Sequence, residues 1–494
     1  MKRPAVMLIT AACLLAPAAR GVAQGPVLPS LGDAAGDTLS LIQERRVGER
    51  IMSELRRSDA LIEDRELTSA LNRFGRRLLA STRAAGHDFE FFLVRDSSLN
   101  AFALPGGFVG VHSGLAIAAQ TESELASVIA HEIGHVTQRH IARMLAQNRQ
   151  SSLISLAAVV AAIVAAGASE GQAAAGLVAL GGSVHEQQML AFSREAEREA
   201  DRVGLELLRD AGFKPDDMIS FFSRMQRATR VYESGAPAYL RTHPLTSERM
   251  ADIRNRLGEM SPLMATGPGL DFLLMRAKLV ALAGSERRDR LQAGQVFKDA
   301  LTSASGLERV AALYGSAVVA LELERIDDAA AALQQARATL AGQPGAGGDH
   351  PFLASLQTRI TLARDGPEAA LATLALTLKQ FPDEIGLRLL HADLLLRSAR
   401  NEQALIYLEG LLEGTRSDPD LWRLLAEARD RAGLPGQAHW AMAERYALLG
   451  GWAAAIEQLT LAGRDPGLSY YDLSKIDVRR KEFESELRRE REER

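Results

Sequence analysis

The chain has 494 residues, with 58 Lys and Arg set against 62 Asp and Glu, a formal net charge of −4. That near-balance argues against a protein that grips nucleic acid through charge, and 47% apolar with 24% charged residues argues against wholesale disorder. The length allows two to four domains, and the single cysteine, Cys13, excludes an intramolecular disulfide and any multi-cysteine metal site.

Lys2 and Arg3 followed by the apolar stretch Val6 to Ala16 and the small residues Gly21-Val22-Ala23 read as a secretory signal peptide over 1–23. An exported chain is expected, and cleavage there leaves it without cysteine. A Gly-, Pro-, Ala- and Asp-rich leader over 24–39 precedes two amphipathic helices near 40–58 and 63–82. Phe89 to Val94 reads as a strand, and Ala101–Leu104 and Phe108–His112 as a pair joined by the turn Pro105-Gly106-Gly107. Thr121 with Glu124 forms a capping box that opens a helix expected to run to about Asn148, no proline interrupting it. Leu153 to Ala168 is apolar but shorter than the roughly 20 residues of a membrane span; it reads as half of a buried helical hairpin with 173–190, the alternative being a membrane anchor.

Gly258, Pro262, Gly267, Pro268 and Gly269 mark a linker over 258–270, dividing a domain at 40–257 from one at 271–465. In the second domain small residues recur every 34 positions, at Ala370, Ala404 and Ala438 and again at Ala392 and Ala426. That period resembles the tetratricopeptide repeats, which stack helix pairs into an α-solenoid. Thr358 departs from the small-residue pattern, 306–341 reads as an earlier unit, 342–349 as an insertion, and 271–301 as a less regular pair. The tail 466–494 is charged with both signs and is expected to be a solvated helix.

The chemistry sits in His131-Glu132-Ile133-Gly134-His135, inside the capped helix. Positions four apart share a face, so His131 and His135 can hold one Zn²⁺ through neutral imidazoles, while Glu132 stands beside the ion as a general base for water. A third ligand must come from elsewhere. His140 is one residue early, and Gln138 stands where a glycine belongs, for the longer H-E-x-x-H-x-x-G-x-x-H pattern. The run Glu195-Ala196-Glu197-Arg198-Glu199-Ala200-Asp201 offers carboxylates; Glu197 and Asp201 share a face, so Glu197 can bind the ion and Asp201 can orient a histidine. On the residues alone Glu195 and Glu199 stay open as ligands, as does an acidic face that is merely solvated. His185-Glu186-Gln187-Gln188-Met189 lacks a second histidine and is a decoy; His112, His350, His391 and His439 read as structural.

His131-Glu132-x-x-His135 followed by Glu197-x-x-x-Asp201 resembles the M48 peptidases, zinc endopeptidases of the gluzincin type. The resemblance implies Glu197 as third ligand and one Zn²⁺ per chain. Asn100 to Gly107 is similar to the family's edge strand beside the cleft, making Asn100 a candidate substrate contact. His243-Pro244-Leu245-Thr246-Ser247-Glu248-Arg249 resembles another family segment: His243 is implied as a displaceable fourth ligand that holds the enzyme latent, or else a structural histidine before a proline turn. Arg249 is open between the reacting carbonyl oxygen, the substrate backbone and a surface salt bridge. Periplasmic members join such a domain to C-terminal repeats, and the similarity covers nearly the whole chain. The expected fold is therefore mainly α: a zincin-like metalloprotease domain with a small β-sheet, then a repeat solenoid. Expected partners are polypeptide substrates, namely misfolded or stalled outer-membrane proteins, and through the repeats a β-barrel assembly machine; no nucleic acid and at most peripheral membrane contact are expected. A periplasmic scaffold or chaperone acting through its repeats is the competing reading.

Overall fold

The computed structural model describes residues 39–58, 60–80, 88–147, 193–231, 237–260, 269–344, 348–415 and 417–492. The expected signal peptide, the leader up to residue 38, the hairpin at 153–190 and the decoy at His185 all lie outside them. Among the described residues no helix is long and apolar enough to cross a membrane.

Two helices lead, α1 (Leu41–Arg57) and α2 (Arg65–Leu79). Ser40 and Gln43 form a reciprocal capping box on α1, and the Asp64 carboxylate accepts the first N–H groups of α2. Leu67, Leu71, Phe74 and Leu78, at helical spacing, bury one face of α2. The sheet has three strands, β1 (Glu90–Val94), β2 (Ala101–Leu104) and β3 (Phe108–His112), in the order β1-β3-β2, with β1 parallel and β2 antiparallel to β3. Gly106 (φ 80°) and Gly107 (φ 93°) make the β2–β3 turn, and a Cβ on either would strike backbone, of Arg45 in one case and Asp88 in the other. β2 is left as an edge.

After the short α3 (Ser113–Ala118) comes α4 (Glu122–Thr137), buried on all sides from Glu124 to Val136. It does not continue to 148 as its sequence suggests. Arg139 takes a left-handed conformation (φ 53°), and α5 (His140–Gln147) starts in a new direction. The cause is tertiary: the Arg139 guanidinium donates to Glu44 on α1 (2.9 and 2.7 Å) and to the Leu39 carbonyl. The domain closes with α6 (Arg194–Asp210), α7 (Asp216–Val231), α8 (Ala238–Thr242) and α9 (Ser247–Glu259).

A helical repeat region follows: α10 (Leu270–Ala281), α11 (Arg287–Ala300), α12 (Gly306–Glu322), α13 (Ile326–Ala341), α14 (Pro351–Asp365), α15 (Pro367–Gln380), α16 (Ile385–Arg397), α17 (Asn401–Thr415), α18 (Pro419–Arg431), α19 (Pro435–Leu448), α20 (Trp452–Ala462) and α21 (Tyr470–Glu492). The recurring small residues Ala370, Ala392, Ala404, Ala426 and Ala438 are buried where neighbouring helices meet. Thr358 is buried too, its hydroxyl donating to the Ala354 carbonyl at 3.1 Å, so the departure leaves no unpaired donor. The charged tail is helical as expected, but it is not wholly solvated, since Ile476 and Phe483 pack under it against α19 and α20.

The repeat region runs alongside α1 and α2. Arg65 pairs with Asp418 and Asp420 (2.7 Å each), Arg73 with Asp271 and Glu384 (2.7 and 2.8 Å), and the buried Lys278 ammonium sits 2.7 Å from both Asp64 and Glu66. Arg56 and Arg57 donate to the carbonyls of Leu448 and Gly450. Part of the surface that the sequence reading leaves open to partners is therefore covered by the chain's own first two helices. A cleft of about 930 Å³ remains between α1 and the last repeats, lined by Arg46, Arg50, Arg445 and Trp452 among others.

Candidate metal centre

Helix α4 carries the first two candidate ligands. Thr121 caps it by accepting from the Glu124 N–H at 3.1 Å; Glu124 reaches back to the Gln120 N–H rather than to that of Thr121, one residue beyond the usual box. Four residues apart and fully buried, His131 and His135 bring their Nε2 atoms to 3.0 Å. Helix α6 carries the third. Its Ser193 cap accepts from the Ala196 N–H, and Glu197 lies in the first turn, where the positive end of the helix dipole favours a carboxylate. Glu197 is 1% exposed, with Oε2 3.4 Å from His131 Nε2 and Oε1 3.5 Å from His135 Nε2. The neighbouring acids turn elsewhere: Glu195 is exposed beside Arg198, and Glu199 pairs with His140 and Arg143.

Two glycines let these helices touch. A Cβ on Gly134 would lie 3.0 Å from the Cα and carbonyl oxygen of Ala200, and one on Gly204 would lie 3.3 Å from the His131 nitrogen. His243, just past α8, completes the group: its Nδ1 is 2.9 Å from Glu197 Oε1, its Nε2 is 3.6 Å from Glu132 Oε1, and its ring stacks on Tyr239 at 4.6 Å. One ligating atom from each of His131, His135, Glu197 and His243 lies within 4.8 Å of the others. Tetrahedral bonds of about 2.0–2.1 Å put ligand atoms about 3.3 Å apart. The separations of 3.0, 3.4 and 3.5 Å among the first three residues fit such an ion. The donors are two imidazoles and a carboxylate, the chemistry of zinc sites that act on substrates. Both Glu132 oxygens are buried without a hydrogen-bond partner among the described residues, beside this cluster.

Around the cluster the charges are paired. His131 Nδ1 is 3.0 Å from Asp201 Oδ1. Arg249 is not a surface salt bridge. It is buried, its Nε and Nη2 donate to the two Asp201 oxygens (2.7 and 2.8 Å), and its Nη1 reaches Glu197 Oε2 (2.6 Å) and the Pro244 carbonyl (2.9 Å). It holds the two carboxylates in place. Burial alone lowers a histidine's pKa, but the adjacent Asp201 and Glu197 carboxylates outweigh it and lift His131 to about 9 in the metal-free protein. Burial and the His131 charge push His135 well below the ordinary histidine range, and burial also lowers His140 against the pull of Glu199. Glu197 and Asp201 stay low despite burial, the first through His243 and His131, the second through His131 and Arg249.

Asn100 lies at the start of β2, buried. Its side-chain oxygen has no partner among the described residues, and its carbonyl accepts from the His112 N–H. Next to it the Leu99 carbonyl accepts from the Tyr239 N–H at 3.1 Å, tying the His243 segment to the edge strand. Two residues escape the sequence reading. Tyr239 is buried with a hydroxyl that has no partner among the described residues, and its signal is the Tyr-x-x-x-His spacing on a short helix. His140 is buried against His135. His112, His350 and His439 bond to Ser98, Asp271 and Gln458, and His391 packs on Tyr407, all away from the cluster.

A model of the family described as "Peptidase family M48" matches residues 65–257. The chain is 34% identical over 455 residues to the "Beta-barrel assembly-enhancing protease" of Yersinia pestis, covering 92% of this chain and 90% of that one. It is likewise 34% identical over 471 residues to the "Putative beta-barrel assembly-enhancing protease" of Vibrio cholerae, covering 94% of each. Over 192 residues it is 33% identical to the "Mitochondrial metalloendopeptidase OMA1" of Schizosaccharomyces pombe, covering 39% of this chain and 53% of that one.

Proposed function

This chain belongs to peptidase family M48 and is a metalloendopeptidase, and from that premise we propose that its ion is zinc, held by His131, His135 and Glu197, with Glu132 as the acid–base group. One observation carries the reading: the buried convergence of His131, His135 and Glu197 at tetrahedral spacing, with His243 within 4.8 Å of them, beside a Glu132 that has no hydrogen-bond partner among the described residues.

When bound, zinc supplies Lewis acidity, polarising a peptide carbonyl and making water acidic enough to lose a proton near neutral pH. Glu132 takes that proton and passes it to the departing amine; among the described residues its oxygens accept no hydrogen bond that would hold them. Asp201 keeps His131 in the tautomer whose Nε2 is bare, and Arg249 keeps Asp201 and Glu197 ionised and aimed. The open edge of β2 suits an extended substrate strand, with main-chain hydrogen bonds giving affinity. His243, 2.9 Å from Glu197 and 3.6 Å from Glu132, supports a reading in which it takes the position water needs and the enzyme rests latent until this residue moves.

We read the protein as exported to the periplasm, where it degrades misfolded or stalled outer-membrane proteins and its repeats, of the tetratricopeptide kind, recruit substrate or assembly machinery. The names of the relatives from Yersinia pestis and Vibrio cholerae support this, as does the paired-helix packing through small residues. The test is metal analysis combined with degradation of an unfolded β-barrel precursor, on wild type and Glu132→Gln together. The expected result is one zinc in each and cleavage by wild type only. Equal cleavage by zinc-loaded Glu132→Gln removes the assigned role, and an effect on barrel assembly that survives the substitution favours a scaffold.

A further inference from the structure

An unbroken helix would put residues 135 and 140 about 140° apart around its axis, with no contact between their rings. The left-handed Arg139 folds α5 back instead and sets the buried His140 ring on His135, Nδ1 to Nδ1 at 2.9 Å. On its far side His140 Nε2 lies 3.1 Å from Glu199 Oε2, which Arg143 Nη1 also grips at 3.0 Å.

We propose that His140 is a positioning residue that fixes His135 in the one tautomer able to bind a metal ion, with Glu199 fixing His140 in turn. A carboxylate only accepts, so His140 Nε2 carries a hydrogen. The neutral ring then has a bare Nδ1. The atom facing it, His135 Nδ1, must donate, because two lone pairs at 2.9 Å would repel. His135 Nε2 is left bare and pointed at His131 Nε2 and Glu197. Reversing the order would turn a lone pair of His140 towards the Glu199 carboxylate and put a hydrogen on the ligating atom of His135. His131 has the Asp201 carboxylate 3.0 Å from its Nδ1, whereas for His135 the instruction passes through a second imidazole.

This inference rests on the zinc reading above. The test is the zinc dissociation constant of the full chain, by competition with a chromophoric chelator, for wild type, His140→Ala, His140→Asn and Glu199→Ala, with folding of each metal-free protein checked by circular dichroism. His140→Ala is expected to bind roughly 10–100-fold more weakly. His140→Asn, whose Oδ1 can accept from His135 Nδ1, is expected to recover most of that loss, which a packing role would not allow. Glu199→Ala, at a partly exposed side chain, is expected to weaken zinc less but in the same direction, and it carries the test if His140→Ala fails to fold. Wild-type affinity in a folded His140→Ala, or in Glu199→Ala when the first does not fold, overturns the inference. A wild-type protein that takes up no zinc overturns the zinc reading instead.

Discussion

Gly134→Ala tests whether the approach of α4 to α6 is what brings Glu197 to the histidines. The new methyl would lie 3.0 Å from two backbone atoms of Ala200, where carbon contacts are comfortable at about 3.5 Å. Backbone cannot swing aside, so the helices must part by about 0.5 Å. Overpacking of that kind costs about 1–3 kcal/mol, and the better helix propensity of alanine offsets about 1 kcal/mol of it. The net expectation is a loss of about 0–2 kcal/mol. Metal binding should suffer more, because ligand distances tolerate about 0.2 Å; a weakening of at least about 10-fold is expected. The assay is chelator competition alongside urea unfolding of the metal-free protein. Gly410→Ala is the control, on an exposed turn of α17 with nothing within 4 Å of the added carbon; it should gain about 0.5–1 kcal/mol and leave zinc untouched. Zinc affinity in Gly134→Ala indistinguishable from wild type would refute the argument.

Lys278→Ala removes the ammonium that Asp64 and Glu66, both at the start of α2, share across the joint with the repeats, and a loss of about 3–5 kcal/mol in urea unfolding is expected; an unchanged midpoint would show that the joint contributes little. Tyr239→Phe removes a buried hydroxyl that has no partner among the described residues, so stability should hold or rise by up to about 1 kcal/mol; a clear loss would reveal a bond to that hydroxyl. Burial alone would raise the pKa of Asp96, yet its contacts with His112 and the Ser98 N–H bring it down to about 2. A carboxyl depressed on folding contributes stability above its unfolded pKa and loses it as pH falls through the folded value, so about 2 kcal/mol should vanish between pH 4 and pH 2. Metal-free Asp96→Asn should lack that component of the acid profile, and identical profiles would contradict it.

Much of the architecture is legible in the residues because local signals are strong. Amphipathic periodicity announces α1 and α2, Thr121 announces the start of α4, the Pro105-Gly106-Gly107 turn announces the strand pair, and a 34-residue period of alanines marks where repeat helices touch. That His131 and His135 share a face follows from helical arithmetic. What stays hidden is decided at long range. Arg139 carries no mark of a helix break, being neither Gly nor Pro; its conformation answers to Glu44 and Leu39, about a hundred positions away. His140 escapes because the spacing asks only whether it binds metal, not whether it touches a residue that does. Arg249 is ambiguous in sequence because charge is usually a surface property, and only the packing of α9 on α6 puts it beneath Asp201.

Within eight residues of α6, Glu197 turns to the histidines and Arg249, Glu199 to the rim of α5, and Asp201 to the back of His131. Each added or lost amino acid rotates everything downstream by about 100°. A single deletion between the Ser193 cap and Asp201 would thus misdirect the acids beyond it while changing neither the composition nor the helix content of the segment. The repeat helices contribute no residue to the cluster, so the loops among them can lengthen or shorten without touching it; this stretch is bound by its angular phase, and frame-preserving indels there should be far more damaging than most substitutions.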